Sequence, residues 1–520
     1  MLVSEKTAVE LIKKNAKKIP KQTFLQFNEN TYTYSELNQF SGKVANHLRN
    51  LGIKKGDHVA LMMKNCPEFI WIWFGIAKLG AVMVPININI KGNSLRYILQ
   101  HSDSKLLIAN KEFLEIINSA FLSNPALKPI ELEFFMTAAL QEKSVLKKSP
   151  SIKVNDPMAI IYTSGTTGVP KGVVLPHFSY VHTGSLFVEE MMNITTDDTL
   201  FTCLPLFHLN AQQLSVMGAL VAGIKLVLSE RFSASSFWQE VYESKATIFN
   251  YIGSMLTILY KQPYSPYEKI HSVNRSFGAA APEETWSDIE ERFGFTIIEG
   301  YGLTETGTMA LCNPPENIKV GSIGKAVRHV NVKIFDENNQ ELPSNQDGEI
   351  VVQQKMDHTM FQSYFRMPEK TSEAMEGGWF HTGDRGFMDE DGYFYFKDRM
   401  KDCIRYRGEN ISSFEIERVV NNFPEVFEGA AIGVPSEVGE EDVKVVLQLQ
   451  PSIKNFDYER FIRYCEQELA YYMIPRYIEI KETLPKTATQ RTQKYVLKEE
   501  GIGNSWDREK SGIKLKRKSS

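Results

Sequence analysis

Cysteine is scarce in this sequence, and its distribution argues against two kinds of site. The five cysteines are scattered, with no C-x-x-C pair, at Cys66, Cys203, Cys312, Cys403 and Cys465. An odd and scattered set predicts free thiols in a reducing compartment such as the cytosol, rather than a disulfide framework or a zinc site. A strong excess of positive or negative charge is also absent, because the formal net charge is −4 over 520 residues. We therefore expect no nucleic-acid-binding surface and no strongly charged membrane-binding surface.

A long uninterrupted apolar run is missing as well. The stretch FIWIWFGIAKLGAVMVPININI, residues 69–90, has the length of a membrane span, but Lys78, Pro85 and Asn87 interrupt it. The break at Gly80 predicts a buried helix followed by a buried strand. Residues 1–20 have helical periodicity, carry charge throughout and lack the apolar segment of a secretory signal. We expect a cytoplasmic protein without stable membrane insertion.

The pattern of apolar segments divides the chain into two blocks. Up to about residue 395, strand candidates such as MAIIYT, KLVLS and FTIIEGYG alternate with helical stretches, which is typical of α/β layers with a mostly parallel sheet. Beyond it, Ser412 and Glu415 have the spacing of a capping box, and strands and a helix near 456–470 follow. We predict an α/β protein with three parts. These are a large N-terminal body of layered α/β subdomains (1–398), a small mobile α+β C-terminal domain (399–505) and a basic disordered tail (506–520).

The stretch YTSGTTGVPKG, residues 162–172, follows a strand candidate and is rich in glycine and hydroxyl groups. It differs from a Walker A loop, because Pro170 replaces the second glycine and Gly172 replaces the magnesium-binding serine or threonine. We therefore do not expect Lys171 to open a helix. Converging backbone N–H groups, hydroxyls and the Lys171 ammonium still favour a phosphate site. A polar turn with local hydrogen bonds is the alternative interpretation.

Six motifs in a fixed order carry a family resemblance. After the 162–172 loop come PLFH at 205–208, GAAAP at 278–282, YGLTE at 301–305, TGD at 382–384 and FKDRMKDCIRYRGENIS at 396–412. With these motifs the chain resembles the adenylate-forming superfamily of acyl-CoA synthetases, firefly luciferases and peptide-synthetase adenylation domains. The stretches WFGIAKLGAVMVPIN and FYFKDR are similar to the crotonobetaine/carnitine-CoA ligase branch.

The resemblance implies a ligase that works in two half-reactions. A carboxylic acid attacks the α-phosphate of ATP, giving an acyl adenylate and pyrophosphate, and the thiol of coenzyme A then displaces AMP to form a thioester. ATP, Mg²⁺ and coenzyme A are thus the implied cofactors and co-substrates. Such a transfer requires the protein to neutralise charge and to align the reactants. Two alternatives stay open: an adenylation enzyme that loads a carrier-protein thiol, and a relative that binds nucleotide without catalysis.

The resemblance also implies roles for individual residues. Thr166, Lys171 and Glu305 are expected to act in catalysis, with Glu305 as the magnesium ligand. Asp384 and Arg399 are expected to bind the ribose. The other residues expected to bind ATP lie in the loop and in the two motifs around the adenine: Thr163, Ser164, Gly165, Thr167, Gly168, Gly278, Ala279, Ala280, Tyr301, Gly302 and Thr304.

The C-terminal signature departs from the family pattern. The family usually reads P-K-T-x-x-G-K, whose last lysine reaches the substrate carboxylate and the α-phosphate. This chain reads LPKTATQR, with Gln490 and Arg491 at the last two positions. Arginine keeps the positive charge but has a planar, multidonor shape. We expect Arg491 to fill the catalytic role, with Lys494 as the rival candidate.

The acyl pocket and the thiol tunnel complete the implied site. The pocket walls are expected from His208, Asn250, Tyr251, Ser254 and Ala281. Polar side chains in these stretches suit a small or medium acid with a polar group, carnitine-like acids included. A long fatty acid, an aryl acid and a short branched acid stay open. The resemblance further implies a hinge at Lys401 and a tunnel loop made of Arg407, Gly408, Glu409 and Asn410.

Overall fold

The computed structural model describes the chain in a set of ranges. These are residues 6–90, 92–120, 127, 129–146, 149–163, 170–307, 309–399, 404–406, 409–436, 441–469, 471–486 and 492–515. Within these ranges, no helix combines the length and the apolar character that crossing a bilayer requires.

The chain forms two compact units. The large unit comprises Met1–Lys333, Val351–His381 and Asp391–Phe394, and the small unit comprises Ile334–Ile350, Thr382–Glu390 and Tyr395–Ser520. The small unit thus includes two segments from the region predicted as the N-terminal body. The predicted boundary between residues 398 and 399 stays a prediction.

The α-helices, in chain order, are α1 (Ala8–Lys18), α2 (Tyr34–Asn50), α3 (Pro67–Lys78), α4 (Gly92–His101), α5 (Leu114–Ala120), α6 (Leu132–Ala139), α7 (His177–Leu186), α8 (Met217–Ala222), α9 (Phe237–Ser244), α10 (Gly253–Tyr260), α11 (Trp286–Phe293), α12 (Pro368–Ala374), α13 (Ser413–Asn421), α14 (Tyr458–Glu468) and α15 (Lys494–Glu499). Two π-helical segments, Phe187–Met191 and Asn210–Val216, adjoin α7 and α8.

The strands are β1 (Thr23–Phe27), β2 (Asn30–Thr33), β3 (His58–Met62), β4 (Val82–Pro85), β5 (Ser104–Ala109), β6 (Pro129–Glu131), β7 (Pro157–Thr163), β8 (Lys171–Pro176), β9 (Thr199–Thr202), β10 (Lys225–Leu228), β11 (Ile248–Asn250), β12 (Arg275–Gly278), β13 (Thr296–Tyr301), β14 (Leu311–Cys312), β15 (Lys325–Ala326), β16 (Val330–Phe335), β17 (Gly348–Gln354), β18 (Ser363–Tyr364), β19 (Phe380–Met388), β20 (Phe394–Arg399), β21 (Ile404–Tyr406), β22 (Glu409–Ile411), β23 (Val426–Pro435), β24 (Glu441–Leu449), β25 (Tyr477–Ile480) and β26 (Trp506–Asp507).

Two sheets organise the large unit. One has the strand order β15-β14-β13-β12-β11-β9-β10-β1-β2, and the other has the order β18-β8-β7-β4-β3-β5-β6. The neighbours from β12 to β1 in the first sheet pair in parallel, as do β4, β3, β5 and β6 in the second. Helices alternate with these strands along the chain, so the predicted α/β architecture with mostly parallel sheets is confirmed.

The apolar stretch at 69–90 forms α3 and β4, with Gly80 between them, as predicted. Every residue of α3 except Glu68 is buried, because a helix that is apolar on all sides finds its stable environment in a core. Lys78 ends this helix, and its ammonium donates to the backbone and side-chain oxygens of Asn38 at 2.7 and 2.8 Å. Burial lowers the pKa of Lys78 to about 7.

The small unit contains the predicted α+β elements. Its sheet has the order β23-β24-β25-β26, and β21 pairs with β22 as a separate antiparallel ribbon. The helix predicted to open at Ser412 is α13, whose Glu415 N–H donates to the Ser412 hydroxyl at 3.1 Å. A further sheet has the order β16-β17-β19-β20.

The prediction of a disordered tail from residue 506 is wrong at its start. Residues Trp506 and Asp507 form β26, which pairs with β25. The Trp506 ring stacks on Tyr458 with centroids 4.7 Å apart, and the Asp507 carboxylate lies 3.6 Å from the Arg476 guanidinium. A stacked aromatic ring and a paired carboxylate hold this segment on the sheet. Residues 516–520 lie outside the described ranges.

Candidate active site

The hydroxyl-rich loop connects two paired antiparallel strands. Thr163 ends β7, Lys171 begins β8, and these two residues face each other in the register. Lys171 therefore opens a strand and not a helix, as expected for a loop that is not of the Walker A type. The five central loop candidates, Ser164, Gly165, Thr166, Thr167 and Gly168, lie outside the described residues.

One tyrosine stands between the cation of this hairpin and the candidate metal ligand. The Tyr364 hydroxyl donates to Glu305 Oε1 at 2.9 Å, and the Lys171 ammonium donates to the Tyr364 hydroxyl at 3.4 Å. The same ammonium lies 4.4 Å from the centre of the Tyr364 ring. Burial, followed by the nearby Glu305 carboxylate, raises the pKa of Tyr364 well above its ordinary value. The structure thus brings the predicted pair Lys171 and Glu305 together through a residue that the sequence motifs do not mark.

Glu305 sits in a tightly packed turn after β13. Its backbone oxygen accepts from the Phe361 N–H at 2.9 Å, and its side chain is almost fully buried. Gly307 follows with a φ of +68°, where a Cβ atom would lie 2.1 Å from the Thr359 oxygen. Only glycine avoids both the backbone strain and this clash. Gly307 therefore fixes the turn that follows Glu305. Thr304, the preceding candidate, is half-buried in the same turn.

A second carboxylate holds the GAAAP loop. The N–H groups of Ala280 and Ala281 donate to the two oxygens of Glu299 at 2.8 and 3.1 Å. Ala280 has a φ of +62°, a left-handed conformation that costs a non-glycine residue about 1–2 kcal/mol. Burial raises the pKa of Glu299 to about 8, although both backbone N–H groups favour the ionised form. Glu299 therefore stabilises a strained backbone at the predicted adenine site.

Close backbone packing surrounds the same loop. A Cβ atom on Gly278 would lie 2.3 Å from the Tyr251 oxygen, and one on Gly253 would lie 2.1 Å from the Ala280 oxygen. The candidate Tyr301 ends β13. This strand pairs with β12, which ends at Gly278, the first residue of the GAAAP loop. The ends of β11, β12 and β13 thus bring together the predicted pocket and adenine residues, among them Asn250, Tyr251, Gly278 and Tyr301. Gly302 follows Tyr301 directly, and Ala279 lies between Gly278 and Ala280.

The predicted acyl wall contains a cluster of buried amide side chains. The π-helical segment Asn210–Val216 begins two residues after His208, and such segments often occur at functional sites. The Asn250 amide donates to Asn210 Oδ1 at 2.9 Å and to the Ser215 hydroxyl at 3.1 Å. Tyr251 is fully buried, with its hydroxyl 3.4 Å from the Ile298 oxygen, so it lies behind the loop and not on an open wall. The side chain of Ser254 lies outside the description.

In the small unit, the predicted ribose pair is in contact. Asp384 Oδ1 lies 3.4 Å from Arg399 Nε, and the aspartate is nearly buried. The Asp384 N–H donates to the Thr382 hydroxyl, and the neighbouring Gly383 N–H donates to Glu349. These bonds fix the backbone of the TGD motif.

Lys494 is engaged within the small unit. Its ammonium lies 2.9 Å from Glu417 Oε1 and 2.6 Å from the Ser413 hydroxyl. Burial raises the pKa of Glu417 although Lys494 lowers it, and this carboxylate also accepts from the Ala431 N–H at 2.9 Å. Lys494, the rival candidate for catalysis, is therefore paired with the buried carboxylate of Glu417.

The remaining candidates of the small unit are described only in part. A bridge between Lys486 and Thr492 joins the two ends of the segment that contains Arg491. Glu409 and Asn410 belong to β22, where they pair with Tyr406 and Arg405, but their side chains lie outside the description. Arg491, Lys401, Arg407 and Gly408 also lie outside the described residues.

Two residues of the site escaped the sequence analysis. Glu299 lies two residues before the YGLTE motif, and an acidic residue at the end of an apolar strand could have signalled a buried role. Tyr364 lies in the stretch MFQSYF, which carries no motif and gives no comparable signal. Both residues act through partners distant in sequence.

Two family models match the chain. The model described as AMP-binding enzyme matches residues 12–365, and the model described as AMP-binding enzyme C-terminal domain matches residues 415–491.

Named relatives cover nearly the whole chain. A crotonobetaine/carnitine-CoA ligase of Salmonella agona (strain SL483) is 34% identical over 482 residues, which make up 90% of this chain and 93% of the relative. A protein of the same name from Escherichia coli O157:H7 is 34% identical over 475 residues, 88% of this chain and 92% of the relative.

Solved structures with the same fold contain adenylate or ATP. The anthranilate-CoA ligase AuaEII in complex with anthranoyl-AMP is 27% identical with a TM-score of 0.88, covering 95% of this chain and 97% of that one. The o-succinylbenzoate-CoA synthetase MenE from Bacillus subtilis, in complex with ATP and magnesium ion, is 25% identical with a TM-score of 0.82, covering 94% and 99%.

Proposed function

The chain belongs to the family of AMP-binding enzymes, and from that premise we infer that it is an ATP-dependent acid–CoA ligase. It activates a carboxylic acid as an acyl adenylate with release of pyrophosphate, and it transfers the acyl group to coenzyme A with release of AMP. The observation that carries this inference in the structure is the placement of Lys171 and Glu305 on either side of the Tyr364 hydroxyl. A cation and a carboxylate beside a hydroxyl-rich hairpin suit a magnesium-bound polyphosphate.

The donor set around Glu305 fits Mg²⁺, which prefers carboxylate oxygens and keeps several waters. When bound, the ion neutralises charge on the β- and γ-phosphates. Lys171 supports the same phosphates from the hairpin, and Thr163 and the loop hydroxyls up to Thr167 align them. The chain thereby lowers the repulsion between an incoming carboxylate and ATP.

We propose nucleotide-binding roles for residues outside the hairpin. Tyr301 and the Gly278–Ala280 backbone bind the adenine, and Glu299 keeps that backbone in place through two hydrogen bonds. Asp384 accepts hydrogen bonds from the ribose hydroxyls, and Arg399 orients its carboxylate. Arg491 neutralises the substrate carboxylate during adenylation. The pairing of Lys494 with Glu417 supports this choice over Lys494.

Thioester formation requires a second set of groups. We propose that the chain turns about Lys401 after pyrophosphate leaves, and that the loop of Arg407, Gly408, Glu409 and Asn410 then lines the path of the thiol. The position of Lys401, two residues after the proposed ribose-binding Arg399, supports this assignment.

We propose a small or medium-length acid with a polar group as the substrate, of the crotonobetaine or carnitine kind. The names of the relatives support this class, as do the buried amides of Asn250 and Gln213 near His208. A cytosolic location is proposed with it. Cys66, Cys203, Cys312 and Cys465 are free thiols, which suits a reducing compartment.

A panel of carboxylic acids tests the function. We expect AMP release that depends on both an acid and free coenzyme A, with crotonobetaine, carnitine and similar polar acids preferred over long-chain fatty acids. Lys171→Ala and Glu305→Gln should each abolish pyrophosphate exchange, whereas Lys153→Ala, at an exposed lysine before β7, should leave it unchanged. Absence of acid-dependent AMP formation across the panel would contradict the proposal. Adenylation without transfer to free coenzyme A would indicate a carrier-protein acceptor instead.

A further inference from the structure

Tyr364 occupies the space between two opposite charges. Its hydroxyl lies 2.9 Å from Glu305 Oε1 and 3.4 Å from Lys171 Nζ, and its side chain is nearly buried. A neutral phenol has one O–H to donate and an oxygen that accepts. The hydroxyl donates a hydrogen bond to the Glu305 carboxylate and accepts one from the Lys171 ammonium, so a single hydroxyl contacts both neighbours with the correct polarity.

The backbone around Tyr364 is tied to both of these neighbours. Strand β18 pairs antiparallel with β8, where Tyr364 faces Val173, and the Phe365 N–H donates to the Gly172 oxygen at 2.7 Å. Three residues before Tyr364, the Phe361 N–H donates to the backbone oxygen of Glu305 at 2.9 Å. The segment 361–365 therefore fixes the phenol relative to the hairpin and to the turn of Glu305 at once.

We propose that Tyr364 is a positioning residue whose hydroxyl holds the Lys171 ammonium and the Glu305 carboxylate in place for Mg²⁺–ATP. This inference rests on the proposed function of the site. In a partly buried setting, opposite charges attract far more strongly than in water, so without the hydroxyl the two groups would be drawn toward each other and away from the positions that serve Mg²⁺–ATP. The hydroxyl holds each group by one hydrogen bond, which the incoming ion and phosphates can displace.

The substitution Tyr364→Phe removes only the hydroxyl, because phenylalanine keeps the ring and its contact with Lys171. Tyr393→Phe is a matched control: this tyrosine is equally buried, donates to the Asn317 oxygen at 2.7 Å, and has the Lys325 ammonium 4.4 Å from its ring. The measurements are the affinity for Mg²⁺–ATP by calorimetry and the dependence of pyrophosphate exchange on Mg²⁺ concentration. Calorimetry needs no acid substrate, so it tests Tyr364 even if the ligase activity is absent.

For Tyr364→Phe we expect Mg²⁺–ATP to bind about tenfold more weakly, the size expected for a hydrogen bond to a charged group. The KM for Mg²⁺–ATP should rise by the same factor, with kcat much less affected and with partial recovery at high Mg²⁺. Tyr393→Phe should change neither quantity. Unchanged Mg²⁺–ATP affinity in Tyr364→Phe would overturn the inference. Loss of activity at every Mg²⁺ concentration, together with a fall in melting temperature beyond that of Tyr393→Phe, would also overturn it, because the role would then be structural.

Discussion

The buried carboxylate of Glu299 predicts a stability that falls with pH. Burial raises the pKa of this group from an ordinary 4.5 to about 8, with a smaller contribution from the Glu283 carboxylate. Between these two values the folded chain keeps a proton that the unfolded chain releases. The stabilising effect of this proton is complete below about pH 4.5 and is lost as the pH rises through 8.

The substitution Glu299→Gln removes this titration. Its carboxamide oxygen still accepts from one of the two loop N–H groups, but its NH₂ group faces the other, so the variant loses a bond at every pH. Each pKa unit corresponds to about 1.36 kcal/mol. Between pH 6 and pH 8, proton linkage therefore lowers the free energy of unfolding of the wild type by about 2 kcal/mol, and the variant lacks this loss. The variant should therefore gain stability relative to the wild type as the pH rises.

Thermal unfolding of both proteins at a series of pH values measures this difference. The melting temperature of Glu299→Gln minus that of the wild type should increase by a few degrees between pH 6 and pH 8. Glu291→Gln, at an exposed glutamate on α11, makes the same chemical change on the surface and should show no such trend. A difference that stays constant with pH, or that changes in the opposite direction, would refute the assignment of a protonated Glu299.

Three further predictions concern the loop and the small unit. Gly278→Ala should abolish pyrophosphate exchange and lower the melting temperature, because its Cβ would lie 2.3 Å from a backbone oxygen that cannot move alone; unchanged exchange would contradict this. Arg491→Ala should lower acid-dependent pyrophosphate exchange at least tenfold, whereas Lys494→Ala should keep exchange and destabilise the small unit by leaving Glu417 unpaired. Undiminished exchange in both would exclude this segment from adenylation. Lys401→Pro, which freezes one backbone torsion, should impair thioester formation far more than pyrophosphate exchange, and equal loss in both assays would argue against a hinge there.

Local patterns were sufficient to predict the elements that depend on neighbouring residues. The break at Gly80 separates α3 from β4, and β7 ends where the hydroxyl-rich loop begins, as the spacing of apolar and small residues indicates. The ordered start of the tail was not predictable in this way. Trp506 is stabilised by Tyr458, which lies far back in the chain, and the composition of the tail carries no trace of that contact.

The candidate site shows the same limit more sharply. Motifs identified Lys171 and Glu305 because each lies in a recognisable string, but the Tyr364 hydroxyl between them comes from a strand 193 residues beyond Lys171. Sheet pairing of β18 with β8 brings this residue to the hairpin. Hydrogen bonds of this kind depend on the three-dimensional pairing of strands, so a single sequence without a motif around Tyr364 cannot reveal them.

Glu299 and Glu305 lie six residues apart, yet their surroundings assign them different chemistry. Both oxygens of Glu299 accept from backbone N–H groups, and among the described residues no lysine or arginine pairs with it. Binding a metal ion would require this carboxylate to ionise in a buried site and to release the strained Ala280. Glu305 instead accepts a hydrogen bond from a phenol hydroxyl, which an incoming ion can displace without disturbing a strained backbone. The environment of each carboxyl group, and not its presence in the motif region, therefore favours Glu305 over Glu299 as the proposed metal ligand, and it leaves Glu299 as the support of the GAAAP loop.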